Sequence, residues 1–584
     1  MILQQLYADA DAIYESVTGH DLPPPMFDEE VVHWIVPLDR DGNFAGEMIW
    51  IDTRHEVPHN YGRSSDVVPN LLVDTAGYAL GILDNNAAKK HAAFKDLLRG
   101  CVEKTKDPLA GAVLAFLDAS GLPEGKVPKN LKCDATGKHR IAFTVNGAWP
   151  TNSPAVRDYW DDLTRRQCKG VDKQQGHCLV SDQPGPVESV LSCDISIGGE
   201  SAPLISMNEA SANSYGFSQA LNGAVSRDAA ERFTKALRTL MRGKQTSLRV
   251  SELTYVYWTR RGADEDVNAC LEAPNTDLLD KLMKRGLFAG ERVVSPAPEQ
   301  FYALALSGNK TRVVFRDWLK TTLPEAKRNL TRWLKAQEIV DAATGEGEVL
   351  FGINRLAKSL YRQVPGKPPP KIPARVTRAL LRTALHGDAL PPDLLAKAVT
   401  RCRAAHQVSD ARAALMKAAL AARKENETTM SAGLDETNAD PPYVCGRLLA
   451  VLDNIQYRAL GKVNVTVVDR YFSAATATPQ TVLTTLVKRA KKAHLPKIRR
   501  AIGWGACQRE EGAIENLLGL LSPGSTAENP AMEAMPASLG PDGQAIFLLG
   551  YYHQRARYTK ERNERIAEAQ RLKAAKPTEP KKEN

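Results

Sequence analysis

Apolar residues at helical spacing open the chain. Ile2, Leu3, Leu6, Ala10, Ile13 and Val17 predict one helix over 2–17. Shorter apolar runs at Val31–Val36 and Gly46–Ile51 predict strands, with Asp39-Arg40-Asp41-Gly42 as the turn between them. Residues 139–146 and 188–207 read as further strands, the second interrupted by Gly198-Gly199. An amphipathic helix is predicted from Ser226, its cap, to Arg242. Ser247–Thr259, rich in Val, Tyr and Trp, reads as one strand. Phe301–Leu306 and Arg312–Trp318 read as a strand pair joined by Ser307-Gly308-Asn309. Mixed strands and helices over about 335 residues predict an α+β N-terminal region.

The pattern changes after Gln363–Pro373, a proline-rich stretch with the composition of a stiff linker. Beyond it strand signals nearly vanish. Helices are predicted at Val376–Leu385, Pro392–His406, Asp410–Lys424, Tyr443–Leu460, Thr478–His494 and Ala545–Lys573. In Tyr443–Leu460 the stripe Leu448, Val451, Leu452, Ile455 and Ala459 gives one face to bury. Thr478-Pro479 reads as a capped start with proline at the first helical position. The fold class expected is therefore α+β followed by an all-α helical bundle at the C-terminus. The expected divisions are 1–130, 131–362 and 374–573, then a disordered Lys/Glu/Pro tail, 574–584.

Charge sharpens this division. The net charge is +9, but residues 1–100 hold 7 Lys+Arg against 16 Asp+Glu, whereas residues 301–420 hold 21 against 9. A basic middle suits a phosphate-binding surface, and equally a set of solvated helix faces. The 9 cysteines are dispersed without a CxxC pair, which fits a reducing compartment. The N-terminus does not read as a signal peptide. The longest apolar run, Leu109–Leu117, is far below the ~20 residues of a membrane span, so a cytoplasmic protein without a membrane partner is expected.

Two common enzyme signatures, GxGxxG and GxSxG, do not occur, and Gly308-Asn-Lys-Thr311 has only the second half of a Walker loop. Asp9 with Asp11, and Asp161 with Asp162, read as solvated helix faces. Cys168, His177 and Cys178 lack the second ligand pair that a tetrahedral zinc site needs. No catalytic residue, metal or cofactor is expected.

Three stretches are more specific: YGRSSDVVPNLLVDTAGYALGILD at Tyr61–Asp84, SMNEASANSYGFSQALNGAVS at Ser206–Ser226, and FLLGYYHQR at Phe547–Arg555. In this order, within a chain running from Met1-Ile-Leu-Gln to about Arg557, they resemble the large subunit of the type I-C CRISPR Cascade complex. The resemblance implies a non-enzymatic subunit that reads the PAM in double-stranded DNA, starts strand separation and helps hold the guide RNA 5′ handle. It implies as partners the guide CRISPR RNA, the Cascade backbone and guide-processing subunits, and a helicase–nuclease. It also implies a small helical subunit translated from within the same coding region, here about 424–573, for which Met430 is a reasonable start. A metal-dependent nuclease and a purely structural RNA-binding scaffold are the rival readings.

Asn70, after Pro69, can hydrogen-bond the acceptors of a minor groove or cap a helix Leu71–Leu80 closed by Gly81; chemistry alone favours the cap, and the resemblance makes it the reader of the PAM minor groove. Arg63, Ser64 and Ser65 form a small-residue turn that suits phosphate approach, and Lys89 and Lys90 can clamp the adjoining phosphate. Asn208 and Tyr215 are assigned to guide RNA or DNA, with Tyr215 alternatively a core aromatic. Arg312, Arg316, Lys327 and Arg328 form a backbone track in which Trp318 and Trp333 either stack on bases or anchor the core. Lys488, Lys491, Lys492, Arg499 and Arg500 lie in a dense basic run, which the resemblance assigns to the displaced single strand.

Overall fold

The computed structural model describes residues 2–59, 67–83, 85–119, 121–123, 125–132, 138–166, 173–191, 193–207, 209–261, 265–287, 299–309, 312–368, 370–422, 430–521 and 535–574. The chain forms two compact units. One comprises Met1–Gly243, Arg260–Ala263 and Ser307–Val314; the other comprises Lys244–Thr259, Asp264–Leu306 and Phe315–Asn584. Strands and helices mix in the first part of the chain, and the C-terminal part is helical, as the sequence pattern predicts.

The first unit is built on a four-stranded sheet. Its strands are β1 (Phe27–Leu38), β2 (Ile49–Pro58), β3 (Asp74–Thr75) and β4 (Arg140–Val145), in the order β2-β1-β4-β3. β1 and β2 are antiparallel across the predicted turn, where Asp39 Oδ1 accepts the N–H groups of Asp41 (2.9 Å) and Asn43 (2.8 Å). β1 and β4 are parallel, which requires a long crossover. That crossover contains the helices Ala87–Thr105 and Pro108–Ala119, and their Phe94, Leu98, Val113 and Phe116 pack with Trp34, Val36 and Phe143 of the sheet. The predicted helix 2–17 is two helices, Ile2–Ala8 and Ala10–Thr18, divided at Asp9. Gly198-Gly199 forms the turn of a hairpin, Asp194–Ile197 with Glu200–Pro203. The helix Arg227–Arg242 begins as predicted, with the Ser226 hydroxyl accepting the Ala229 N–H. Two of its buried charges hold the proline segment before β1. Glu231 accepts the Met26 N–H (2.7 Å), and Lys235 donates to the Pro24 carbonyl (2.8 Å).

In the second unit the predicted strand Ser247–Thr259 is a hairpin, Ser247–Val250 with Leu253–Thr259, because Ser251 takes a left-handed φ of 56°. It joins the strands Gln300–Asn309 and Arg312–Thr322 in one sheet. Ser307-Gly308-Asn309 therefore extends a strand instead of making the turn, and Lys310-Thr311 lies outside the described residues. The helices follow the predicted positions: Ala374–His386, Pro392–Ala405, Asp410–Ala421, Pro441–Leu460 and Pro541–Ala574. Leu448, Val451, Leu452 and Ile455 are buried together, as their spacing requires. Helices on both sides of the proline-rich stretch share this core: Leu330 and Leu334 of Leu323–Gln337 belong to the same cluster as Leu380 and Leu381.

Candidate nucleic-acid interface

Asn70 is held at the edge of the first sheet. Its N–H donates to Asp74 Oδ2 (2.8 Å), while Asp74 Oδ1 accepts the Thr75 N–H (2.7 Å) and Asp74 itself pairs with Ile141 of β4. The helix expected over Leu71–Leu80 is not formed. Leu72 adopts φ 64°, β3 follows, and the helix is the single turn Ala76–Ala79 with Thr75 at its N-cap position. Asn70 is therefore not a helix cap; a carboxylate bound to backbone N–H groups and pairing with β4 override local helix propensity. Asn70 is 3% exposed. Gly81, at φ 68°, does follow the end of the turn, and a Cβ there would meet the His91 ring at 3.1 Å.

Lys89 and Lys90 sit in the first turn of the helix Ala87–Thr105, which carries no acidic residue there. Their charges add to the positive end of the helix dipole. Lys89 is exposed, while Lys90 lies 5.3 Å from the centre of the Tyr78 ring. Arg63, Ser64, Ser65 and Asn208 lie outside the described residues.

Tyr215 is 96% exposed, which overturns the core alternative. It occupies a tight turn with Gly216, both at positive φ. Asn222 pins that turn: its carboxamide accepts the Ser214 N–H (3.0 Å) and donates to the carbonyls of Phe217 (3.2 Å) and Gln219 (3.0 Å). Arg312, Arg316 and Arg328 are exposed and Lys327 is half-buried. Trp333 is a core residue at 3% exposure, because it falls on the apolar face of Leu323–Gln337 with Leu330 and Leu334. Trp318 is half-buried and stacks on Tyr302, with ring centres 5.6 Å apart.

The predicted helix Thr478–His494 is α-helical over Pro479–Arg489, continues as a π-helical turn at Ala490–His494, and resumes at Leu495–Ala501. Pro496 lacks the N–H that would bond one turn back, so the ladder widens before it. Thr478 does not cap; its hydroxyl donates to the Ala474 carbonyl of the preceding helix (3.1 Å). Lys488, Arg489, Lys491, Lys492, Lys497, Arg499 and Arg500 are all exposed. Lys491 approaches Glu515 (3.5 Å) and Glu511 (3.9 Å). Among the described residues Lys488, Lys492, Lys497 and Arg499 have no ion-pair partner. His494 is turned inward, and burial, then Arg489 and Lys497, push its pKa down. Sequence reasoning missed the residues that follow: Ile502 and Trp504 are 52% and 59% exposed at the corner before the helix Trp504–Leu520. Their place directly after the run was the available signal.

The third matched stretch is structural. Phe547, Leu548 and Leu549 are fully buried, Tyr552 donates to the Val340 carbonyl (2.6 Å), and His553 Nδ1 lies 2.9 Å from the Tyr443 hydroxyl. Burial pushes the His553 pKa down to about 3. The Cys178 sulfur accepts the N–H of Ser226 (3.3 Å), whereas His177 pairs with Asp182 (2.6 Å) on the surface; Cys168 lies outside the described residues. No helix among the described residues is long and apolar enough to cross a membrane.

The comparison with known families places the chain among CRISPR-associated proteins. Over residues 3–559 it matches the family described as CRISPR-associated protein (Cas_Csd1), and it belongs to that family. No curated protein matches the chain.

Proposed function

We propose that this protein is the large, non-catalytic subunit of a type I-C CRISPR surveillance complex. In this reading it recognises the PAM in duplex DNA through its N-terminal region and starts strand separation. It helps hold the 5′ handle of the guide RNA and recruits the helicase–nuclease, while base pairing by the guide supplies sequence specificity. The observation that carries the reading is the family match from residue 3 to residue 559, which spans all three stretches noted in the sequence. The test is binding of the assembled complex to target duplexes with and without a PAM. Selective binding is expected; equal binding would leave only a scaffold. The isolated chain is expected to leave DNA uncut with divalent metals, and metal-dependent cleavage would make it a nuclease.

Within this reading Asn70→Ala weakens PAM-dependent binding by about 1–3 kcal/mol without preventing complex assembly. Because Asn70 is buried, melting must be measured beside binding. A lowered Tm with unchanged PAM selectivity would give the residue to the fold alone.

The C-terminal helices are further proposed to occur as a separate small subunit. A fragment from Met430 to Asn584 keeps the packing of Pro441–Leu460 on Pro541–Ala574. It lacks Pro392–Ala405 and Asp410–Ala421, against which Pro541–Ala574 also packs. It is expected to be helical by circular dichroism and to melt cooperatively, below the full chain. Mass spectrometry of the natively expressed complex should find the same chain. A fragment without helical signal would end the first claim, and absence of the small chain the second.

A further inference from the structure

The basic run ends in an exposed indole. Gly503, at φ 122°, turns the chain from Leu495–Ala501 into Trp504–Leu520, with its N–H on the Ile498 carbonyl (3.2 Å). The corner is fixed from below, where Cys507 Sγ donates to the Leu495 carbonyl (3.5 Å) and the Cys507 N–H to that of Gly503 (3.3 Å). Trp504 is the first residue of its helix and stays 59% exposed, beside Ile502 at 52%. Three residues lie between it and Arg500, a reach of at most ~14 Å. The exposed indole and Ile502 thus follow directly on a run of exposed cations, of which Lys492 and Arg499 have no ion-pair partner among the described residues.

We propose that Trp504 is a base-stacking platform and that it, with Lys492, Arg499 and Arg500, binds single-stranded nucleic acid without sequence preference. This rests on the assignment of the basic run to the displaced strand and adds the group that holds its bases. Cations that track a phosphate backbone, combined with an aromatic face for the bases, form the usual single-strand site. A duplex hides its base faces in the stack, so an exposed indole gains most from an unpaired strand. An anionic membrane surface shares the charge preference, but among the described residues the corner offers only Ile502 and Trp504 as apolar anchors.

The experiment uses the full chain and a thymidine 20-mer. Trp504→Ala should weaken binding roughly 5- to 100-fold. The slope of log affinity against log salt should not change, because no charge is removed. Trp504→Phe should recover part of the loss, and its tryptophan emission should be quenched less by the oligonucleotide than that of the native chain. If Trp504→Ala binds normally while Lys492→Ala/Arg499→Ala binds weakly, stacking is wrong and the displaced-strand reading stands. If neither variant weakens binding, both fall. If Trp504→Ala loses binding to vesicles of anionic phospholipid and keeps its hold on the 20-mer, the surface faces a membrane and the proposal is overturned. An unchanged Tm is expected for both variants at this exposed position, so a loss of binding reports on the surface.

Discussion

Gly446→Ala is expected to cost about 3 kcal/mol or more of folding stability, at the upper end for overpacked cores. Gly446 lies in the helix Pro441–Leu460, where that helix crosses Pro541–Ala574. A Cβ at Gly446 would stand 1.9 Å from the Phe547 carbonyl oxygen and 2.8 Å from the Tyr551 nitrogen. The crossing is reciprocal, since a Cβ at Gly550 would stand 2.1 Å from the Tyr443 carbonyl oxygen. Both obstacles are backbone, so no rotamer change relieves them and the helix axes must part. Parting them loosens Val444, Leu448, Phe547 and Leu548, all buried at 0% exposure. Thermal or urea unfolding of the full chain measures the loss. Gly550→Ala should behave alike, and the double variant should cost less than the sum, because one separation relieves both clashes. Gly512→Ala is the control. Its Cβ would meet nothing within 4 Å inside the helix Trp504–Leu520, and alanine's propensity should stabilise it by up to ~1 kcal/mol. A Gly446→Ala chain as stable as the native one would mean that the two helices are not in backbone contact.

The same crossing shows what a sequence reveals and what it hides. The stripe through Leu448, Val451, Leu452 and Ile455 was legible because burial of one face imposes a period, and the strands β1 and β4 were legible from their apolar runs. Gly446 was not, because the closeness of two backbones leaves no periodic trace. Asn70 failed for a related reason. Its segment looks helical residue by residue, but the carboxylate of Asp74 and pairing with β4 set the backbone instead. Ser247–Thr259 had the composition of one strand, and a single left-handed residue, Ser251, folds it into two. Among the candidate site residues, the exposure of the cations in the basic run follows from charge density, because so many like charges cannot be buried together. The fates of Trp333, drawn into the core, and Trp504, left outside it, depend on helix phase and on a glycine corner.

Neutralising Lys491, Lys492, Arg499 and Arg500 together is expected to weaken nucleic-acid binding alike for all sequences and to flatten its salt dependence. Residues 488–500 carry seven Lys or Arg and no acid. For every single-strand phosphate that is no longer neutralised, the slope of log affinity against log salt should fall by roughly 0.7. Lys491 already leans on Glu511 and Glu515, so its share should be the smallest. Arg500 donates to the Pro496 carbonyl of its own helix but keeps its charge exposed. The fold should not suffer. All four residues are exposed, and removing like charges relieves repulsion along the helix, so Tm should stay level or rise. Salt titrations with single strands of different sequence, beside a melting curve, test both halves. An unchanged slope would mean that these charges only face solvent. A flattened slope with an undiminished Tm would mean that the run is retained for an anionic partner, since the isolated chain gains no stability from holding seven cations within thirteen residues.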